Sequence, residues 1–265
     1  MDQVEVLEKD LARSQTEVNY FVRFNSRQRI EHLVLTVTFV ALAVTGLAEK
    51  FYAAGWANWL IMNFGGIAMT RLIHRAFGLV FILTIVYHFA FLIFDLGIRK
   101  NPASMLPTMT DVRNIFESMK YTFGFRDAHV EYGRYDYRQK FEYWGIVFGS
   151  LIMASTGIIL VYPGLVTALF PGEVVAAART AHGSEAMLAV LTIIIWHIYD
   201  TMLKPGIFPL DASIFTGRIS RKRLEEEHVL EYEQLIQKQA RATPQVQEQN
   251  AVAEEAAGEV EKEGD

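Results

Sequence analysis

Residues Thr180–Tyr199 read TAHGSEAMLAVLTIIIWHIY, and this stretch decides the fold. Its 20 residues suffice to cross a bilayer as a helix, which takes about 20 mostly apolar positions. It carries His182 near one end and His197 near the other. Their separation of 15 residues corresponds to roughly 22 Å along a helix and returns to within about 60° of the same face. A second stretch, Ile73–Phe94 (IHRAFGLVFILTIVYHFAFLIF), repeats the arrangement with His74 and His88. Their 14 steps close to within about 40°. Two membrane helices that each present imidazoles at two depths can clamp two stacked haems.

The rest of the chain fits that frame. Of 265 residues, 51% are hydrophobic, and the mean hydropathy is positive. That composition with several charge-free runs predicts one membrane domain with polar ends. The absence of cysteine excludes covalent c-type haem, cysteine-ligated iron–sulfur clusters and disulfides. No nucleotide-binding or catalytic motif is present, and no nucleic acid is expected as a partner. Net charge is −5, but the acidic residues concentrate in the two tails.

Four spans are expected, at about 30–48, 71–94, 141–162 and 180–199. The predicted class is therefore an all-α, integral membrane four-helix bundle. The domain layout reads as a leader (1–22), the membrane domain (23–217), a charged inner helix (218–240) and a disordered acidic tail (241–265). The 49–70 connection, with Phe51, Tyr52, Trp56 and Trp59, should lie along the headgroups. Residues 111–123 have the spacing of a surface helix. Basic residues concentrate at one side of the spans: Arg23, Arg27 and Arg29, a run from Arg99 to Lys140, and Lys204 onward, against Lys50, Arg71 and Arg179 in the other connections. By the positive-inside rule both termini lie inside. The first residues also lack the pattern of a signal peptide. The expected location is the cytoplasmic membrane of a bacterium or archaeon.

This topology assigns depth to the histidines. His74 and His182 begin their spans at the outer surface and form one possible pair. His197 ends its span at the inner surface, where either His32 or His88 is available to it. Ionisable groups inside a membrane are costly and tend to have partners. His129 and His228, in polar inner segments, are expected to be solvated and without function. Bis-imidazole ligation leaves iron no open site, which suits electron transfer. Arg71, Arg75 and Arg179 are available to haem propionates outside, and Arg23, Arg27, Arg29 and Lys204 inside. Gly78 and Gly183 offer room for a macrocycle, whereas Gly46, Gly149 and Gly157 read as ordinary packing residues. Glu185, one turn from His182, is placed to orient a ligand imidazole or to carry protons. Asn25, Gln28, Arg29, Asp95, Tyr199 and Asp200 are polar groups at inner span ends, and so are quinone-site candidates.

The sequence also resembles a family. RIEHLVLTVTFVALAVTGL (29–47), TRLIHRAFGLVF (70–81), GRYDYRQKFEYWGIVFGSLIMASTGIILVYP (133–163), the His182–His197 stretch and TGRISRKRLEEEH (216–228) are similar to bacterial cytochrome b subunits of formate dehydrogenase and nickel–iron hydrogenase type. The resemblance covers roughly residues 23–230. It implies a membrane anchor with two b-type haems that passes electrons between an outer-face partner and a menaquinone or ubiquinone near the inner haem. Carried over by position, His74 and His182 match the outer ligands, and His32 and His197 the inner ones. Two departures stand out. The fourth-span spacing is one residue longer than the family pattern, and His88 has no counterpart in the formate dehydrogenase subunit. The histidine left out of ligation is available to the quinone or to a propionate. Because the chain has no cysteine, an iron–sulfur or c-type cytochrome subunit and a catalytic subunit would be needed as partners, besides membrane lipid. Two other readings are a haem-free carrier or assembly anchor, and a diheme conduit to multihaem cytochromes without a quinone.

Overall fold

A computed structural model of the chain describes residues 20–100, 102–238 and 240. The leader and the acidic tail expected at the two ends fall almost wholly outside the described residues. Among the described residues, four helices are long and apolar enough to cross a membrane: Ser26–Lys50, Ile67–Gly97, Tyr137–Val161 and Glu173–Leu203. They are termed spans 1 to 4. Each is longer than the apolar run that announces it, because the charge-bearing flanks continue the helix past the hydrocarbon.

The bundle is apolar outside and polar within. Thr38 and Thr45 in span 1 are each 2% exposed and Thr70 in span 2 is fully enclosed, whereas Leu33, Val37, Leu79, Leu83 and Ile195 point outward. In water this would be inverted. In lipid, aliphatic side chains lose nothing by facing the tails, and small or polar side chains let helices approach closely. The threonine hydroxyls do not remain unsatisfied, since Thr38, Thr45 and Thr156 donate to the carbonyls of Val34, Ala41 and Ile152 one turn back.

Chain chemistry fixes where the spans start. Asn25 caps span 1 through a reciprocal box: its side chain accepts from the Gln28 amide at 2.9 Å, and its own amide donates to Gln28 Oε1 at 3.0 Å. The amides of Arg23 and Phe24 both donate to the carbonyl of Gly217. A short helix, Gly55–Asn63, occupies the 49–70 connection and leaves Trp56 and Trp59 exposed, as a headgroup-level segment should. After span 3 the helix Pro163–Leu169 leads into span 4.

Span 4 changes character before it ends. Residues Glu173–Thr192 are α-helical, but Ile193–His197 and Tyr199–Leu203 are π-helical turns. A π turn takes about 4.4 residues, so each of its residues advances the helix by less than the usual 100°. The 15 residues from His182 to His197 therefore turn through a smaller angle than in a continuous α-helix.

The chain divides into two compact units. One contains the spans, residues 22–106 and 138–219. The other joins, among the described residues, 107–137 to 220–238. In this second unit the helix Met109–Thr122 begins at a Thr108–Asp111 capping box. Tyr132 is buried, shares a 2.6 Å hydrogen bond with Ser118, and its carbonyl accepts from the Leu230 amide. Leu224 is enclosed, and Arg134 pairs with Glu231 at 2.5 Å. His228, expected to be solvated, is 4% exposed, and its Nδ1 lies 2.8 Å from the Gly133 carbonyl. A polar neighbourhood in sequence conceals a tertiary contact 95 residues away.

Candidate functional site

Two pairs of imidazoles lie inside the bundle. His74 of span 2 faces His182 of span 4, with ring centroids 6.3 Å apart. His32 of span 1 faces His197 of span 4, with centroids 6.1 Å apart. A metal binds an imidazole nitrogen at about 2.0 Å, and that nitrogen lies about 1.2 Å from the ring centre. Two imidazoles on opposite sides of one iron should therefore have centroids roughly 6.4 Å apart. Both pairs lie close to that spacing, so the residues present fit a bis-imidazole iron at each end.

The outward nitrogens are held in a way that favours such use. Thr45 Oγ1 lies 2.8 Å from Nδ1 of His74, and Thr156 Oγ1 lies 2.9 Å from Nδ1 of His182. Each hydroxyl has a single hydrogen, directed to its own helix: Thr45 to Ala41 at 2.7 Å, Thr156 to Ile152 at 2.6 Å. The hydroxyl oxygen is left to accept, so Nδ1 carries the proton and Nε2 presents a lone pair. The neighbouring residues in both cases are glycines. A Cβ on Gly46 would come within 3.0 Å of His74 Cε1, and one on Gly157 within 3.5 Å of His182 Cε1. Thus Thr45-Gly46 of span 1 cradles His74, and Thr156-Gly157 of span 3 cradles His182. Gly46 is not an ordinary packing residue, because it makes room for an imidazole, whereas Gly157 stands in ordinary contact with one.

The other pair is supported differently. His197 Nδ1 is 2.6 Å from Glu142 Oε1 on span 3. His32 Nδ1 is 3.5 Å from Thr36 Oγ1, at the limit of a hydrogen bond. Thr201 donates to the His197 carbonyl at 2.7 Å, within the π-helical segment.

His88 faces no imidazole. Its Nε2 meets the Tyr143 hydroxyl at 2.9 Å, and its Nδ1 lies 3.6 Å from Glu31 Oε2. Arg27 bonds Glu31 at 2.5 Å and lies over the Phe91 ring. The structure therefore brings His32, not His88, to His197. Glu185, read as a second support for His182, instead packs its carboxylate against span 3, 2.5 Å from where a Gly149 Cβ would stand. Thr156 has the place at His182 because it projects from the facing helix.

The remaining residues singled out in the sequence are dispersed. Arg71 bonds Glu49 at 3.1 Å. Arg29 donates to the Phe215 carbonyl. Asn25 is engaged in its capping box. Gly78 has Leu42 as its nearest neighbour at 4.0 Å, and Gly183 has the Lys50 ammonium at 3.0 Å from its would-be Cβ. Tyr199 is half exposed. Thr45, Thr156, Glu142 and Lys50 were missed. The repeated Thr-Gly dipeptide of spans 1 and 3 was the signal for the first two, and Glu142 at the start of span 3 for the third.

Four spans that bring imidazoles together in pairs in their interior are the arrangement of a multi-pass membrane cytochrome. The chain belongs to the prokaryotic cytochrome b561 family, whose model matches residues 23–209. It is accordingly a membrane b-type cytochrome, a multi-pass protein of the bacterial inner membrane. Among known proteins it is 24% identical over 221 residues to the cytochrome b556(Fdn) subunit of the nitrate-inducible formate dehydrogenase of Escherichia coli K12, covering 83% of this chain and 94% of that one. It is 26% identical over 186 residues to the E. coli formate dehydrogenase cytochrome b556(fdo) subunit, covering 70% and 80%. It is 27% identical over 181 residues to the formate dehydrogenase cytochrome b556 subunit of Haemophilus influenzae, covering 67% and 69%.

Proposed function

We propose that the chain is the diheme membrane subunit of a respiratory oxidoreductase, carrying electrons between a redox partner on the outer face and the quinone pool. The observation that carries this reading is the spacing of the two imidazole pairs, 6.3 and 6.1 Å between centroids. Bound haem supplies a one-electron iron couple at each depth. His74 and His182 hold the outer site, with Thr45 and Thr156 fixing their tautomers. His32 and His197 hold the inner site. Iron held by two imidazoles at each site would have no position left for oxygen.

Both termini of the membrane domain are assigned to the inner side, on the distribution of Lys and Arg. At the outer end, Arg71, Arg75, Arg179 and Lys50 are the cations that would meet propionates. At the inner end, His88, Tyr143 and Glu31 form a hydrogen-bonding cluster that bears no ligand duty, and it suits the head group of menaquinone or ubiquinone. Tyr199 and Asp200 lie at the same end of span 4. The relatives are subunits of formate dehydrogenases, which supports an assembly with a catalytic subunit and an iron–sulfur or c-type cytochrome subunit. The chain itself has no cysteine with which to provide such a relay.

The test is the haem-to-protein ratio, with reduced-minus-oxidised spectra of wild type, His32→Ala and His88→Ala. Two b haems in wild type, one in His32→Ala and two in His88→Ala are expected. A colourless protein would overturn the reading, and loss of a haem in His88→Ala alone would overturn the ligand assignment.

A further inference from the structure

The two imidazole pairs are built with unequal partners. At His74 and His182 the Nδ1 proton is accepted by a neutral hydroxyl whose own hydrogen is engaged elsewhere. At His197 it is accepted by a carboxylate, at 2.6 Å. The Glu142 side chain is only 14% exposed, so water screens the pair weakly. The difference is chemical as well as steric. A carboxylate draws the Nδ1 proton toward itself and makes the ring more basic at Nε2, whereas a hydroxyl does so far less.

We infer that Glu142 is a positioning residue that lowers the midpoint potential of the iron held by His32 and His197. The inference rests on the diheme reading above. A ring with partial imidazolate character donates more electron density and stabilises ferric iron over ferrous. A fixed negative charge nearby acts in the same direction. The couple is a one-electron exchange, ferric iron plus one electron giving ferrous iron; no bond breaks and no proton leaves the ring. Glu142 touches neither the iron nor the quinone. It acts through His197, and the π-helical turn that ends at His197 is part of what brings the ring to span 3. The four threonine and glycine residues at the other end provide no counterpart, so the two sites differ in potential by construction. One substitution should move one site only.

The experiment is a redox titration of the purified full chain, followed at the haem absorption bands, with electron paramagnetic resonance of the oxidised form. Wild type should resolve two components. Glu142→Gln keeps an acceptor at the same reach and removes the charge. It should raise one midpoint, leave the other in place, and alter one of the two low-spin ferric signals. Two unchanged components with both haems retained would overturn the inference, as would equal shifts of both. Should Glu142→Gln lose a haem, Glu142→Ser is titrated instead, since it also removes the charge but with a small side chain bearing a neutral hydroxyl. A single raised midpoint then supports the role, and two unshifted midpoints overturn it. Absence of any b haem from wild type would refute the diheme reading itself, a distinguishable result.

Discussion

Thr45 Oγ1 stands between the Ala41 carbonyl, 2.7 Å away, and His74 Nδ1, 2.8 Å away. The hydroxyl gives its proton to its own helix and receives one from the neighbouring helix. Thr156 and His182 repeat the relation. Two hydroxyls thus set both tautomers of one imidazole pair.

Replacement by an isostere tests this relation. Thr45→Val or Thr156→Val keeps volume but removes the hydroxyl that accepts from the neighbouring imidazole. Loss of such a supporting partner weakens metal affinity by about 10- to 100-fold. The outer haem should therefore be retained in substoichiometric amount in either variant. Pyridine haemochrome assay against protein concentration measures it, and full occupancy in both variants would refute the role.

The two cradling glycines should differ. A Gly46→Ala Cβ would stand 3.0 Å from His74 Cε1, closer than ordinary contact, whereas the Gly157→Ala Cβ would stand 3.5 Å from His182 Cε1. Overpacking of this kind costs about 1–3 kcal/mol. Gly46→Ala is expected to broaden or shift the outer haem spectrum and lower its thermal retention, and Gly157→Ala to resemble wild type. Equal behaviour of the pair would contradict the geometry.

Deletion of Ile194 probes the π-helical segment. With one residue fewer, an all-α span 4 would set His182 and His197 14 positions apart, which closes to within about 40° of one face. The deletion should thus preserve both haems, although the same change in an ordinary α-helix would turn His197 by about 100°. Selective loss of the inner haem would show that the π turn does not serve the phase of His197.

In the second unit, Tyr132→Phe removes the hydroxyl that meets Ser118 at 2.6 Å. A net loss of about 1 kcal/mol is expected. It should read as faster amide exchange in Met109–Thr122. Unchanged exchange in that helix would contradict a stabilising role for the bond.

Much of this was written in the chain itself. Apolar runs of about 20 residues can satisfy their backbone in lipid only as helices or closed barrels, so the number and order of the spans follow from composition. His182 and His197 share a face by helical arithmetic, and so do His74 and His88. Those are local properties, and the sequence by itself determined them. It could not choose between His32 and His88 as the neighbour of His197, because both lie at the same depth and depth is all a span boundary conveys. Only the rotation and packing of spans 1 and 2 turned His32 to His197 and His88 to Tyr143. Nor could it find the support of each ring: Glu185 is one turn from His182 in sequence, yet Thr156, 26 residues away, holds it. Second partners come from facing helices, and which residues face one another is decided by tertiary packing alone.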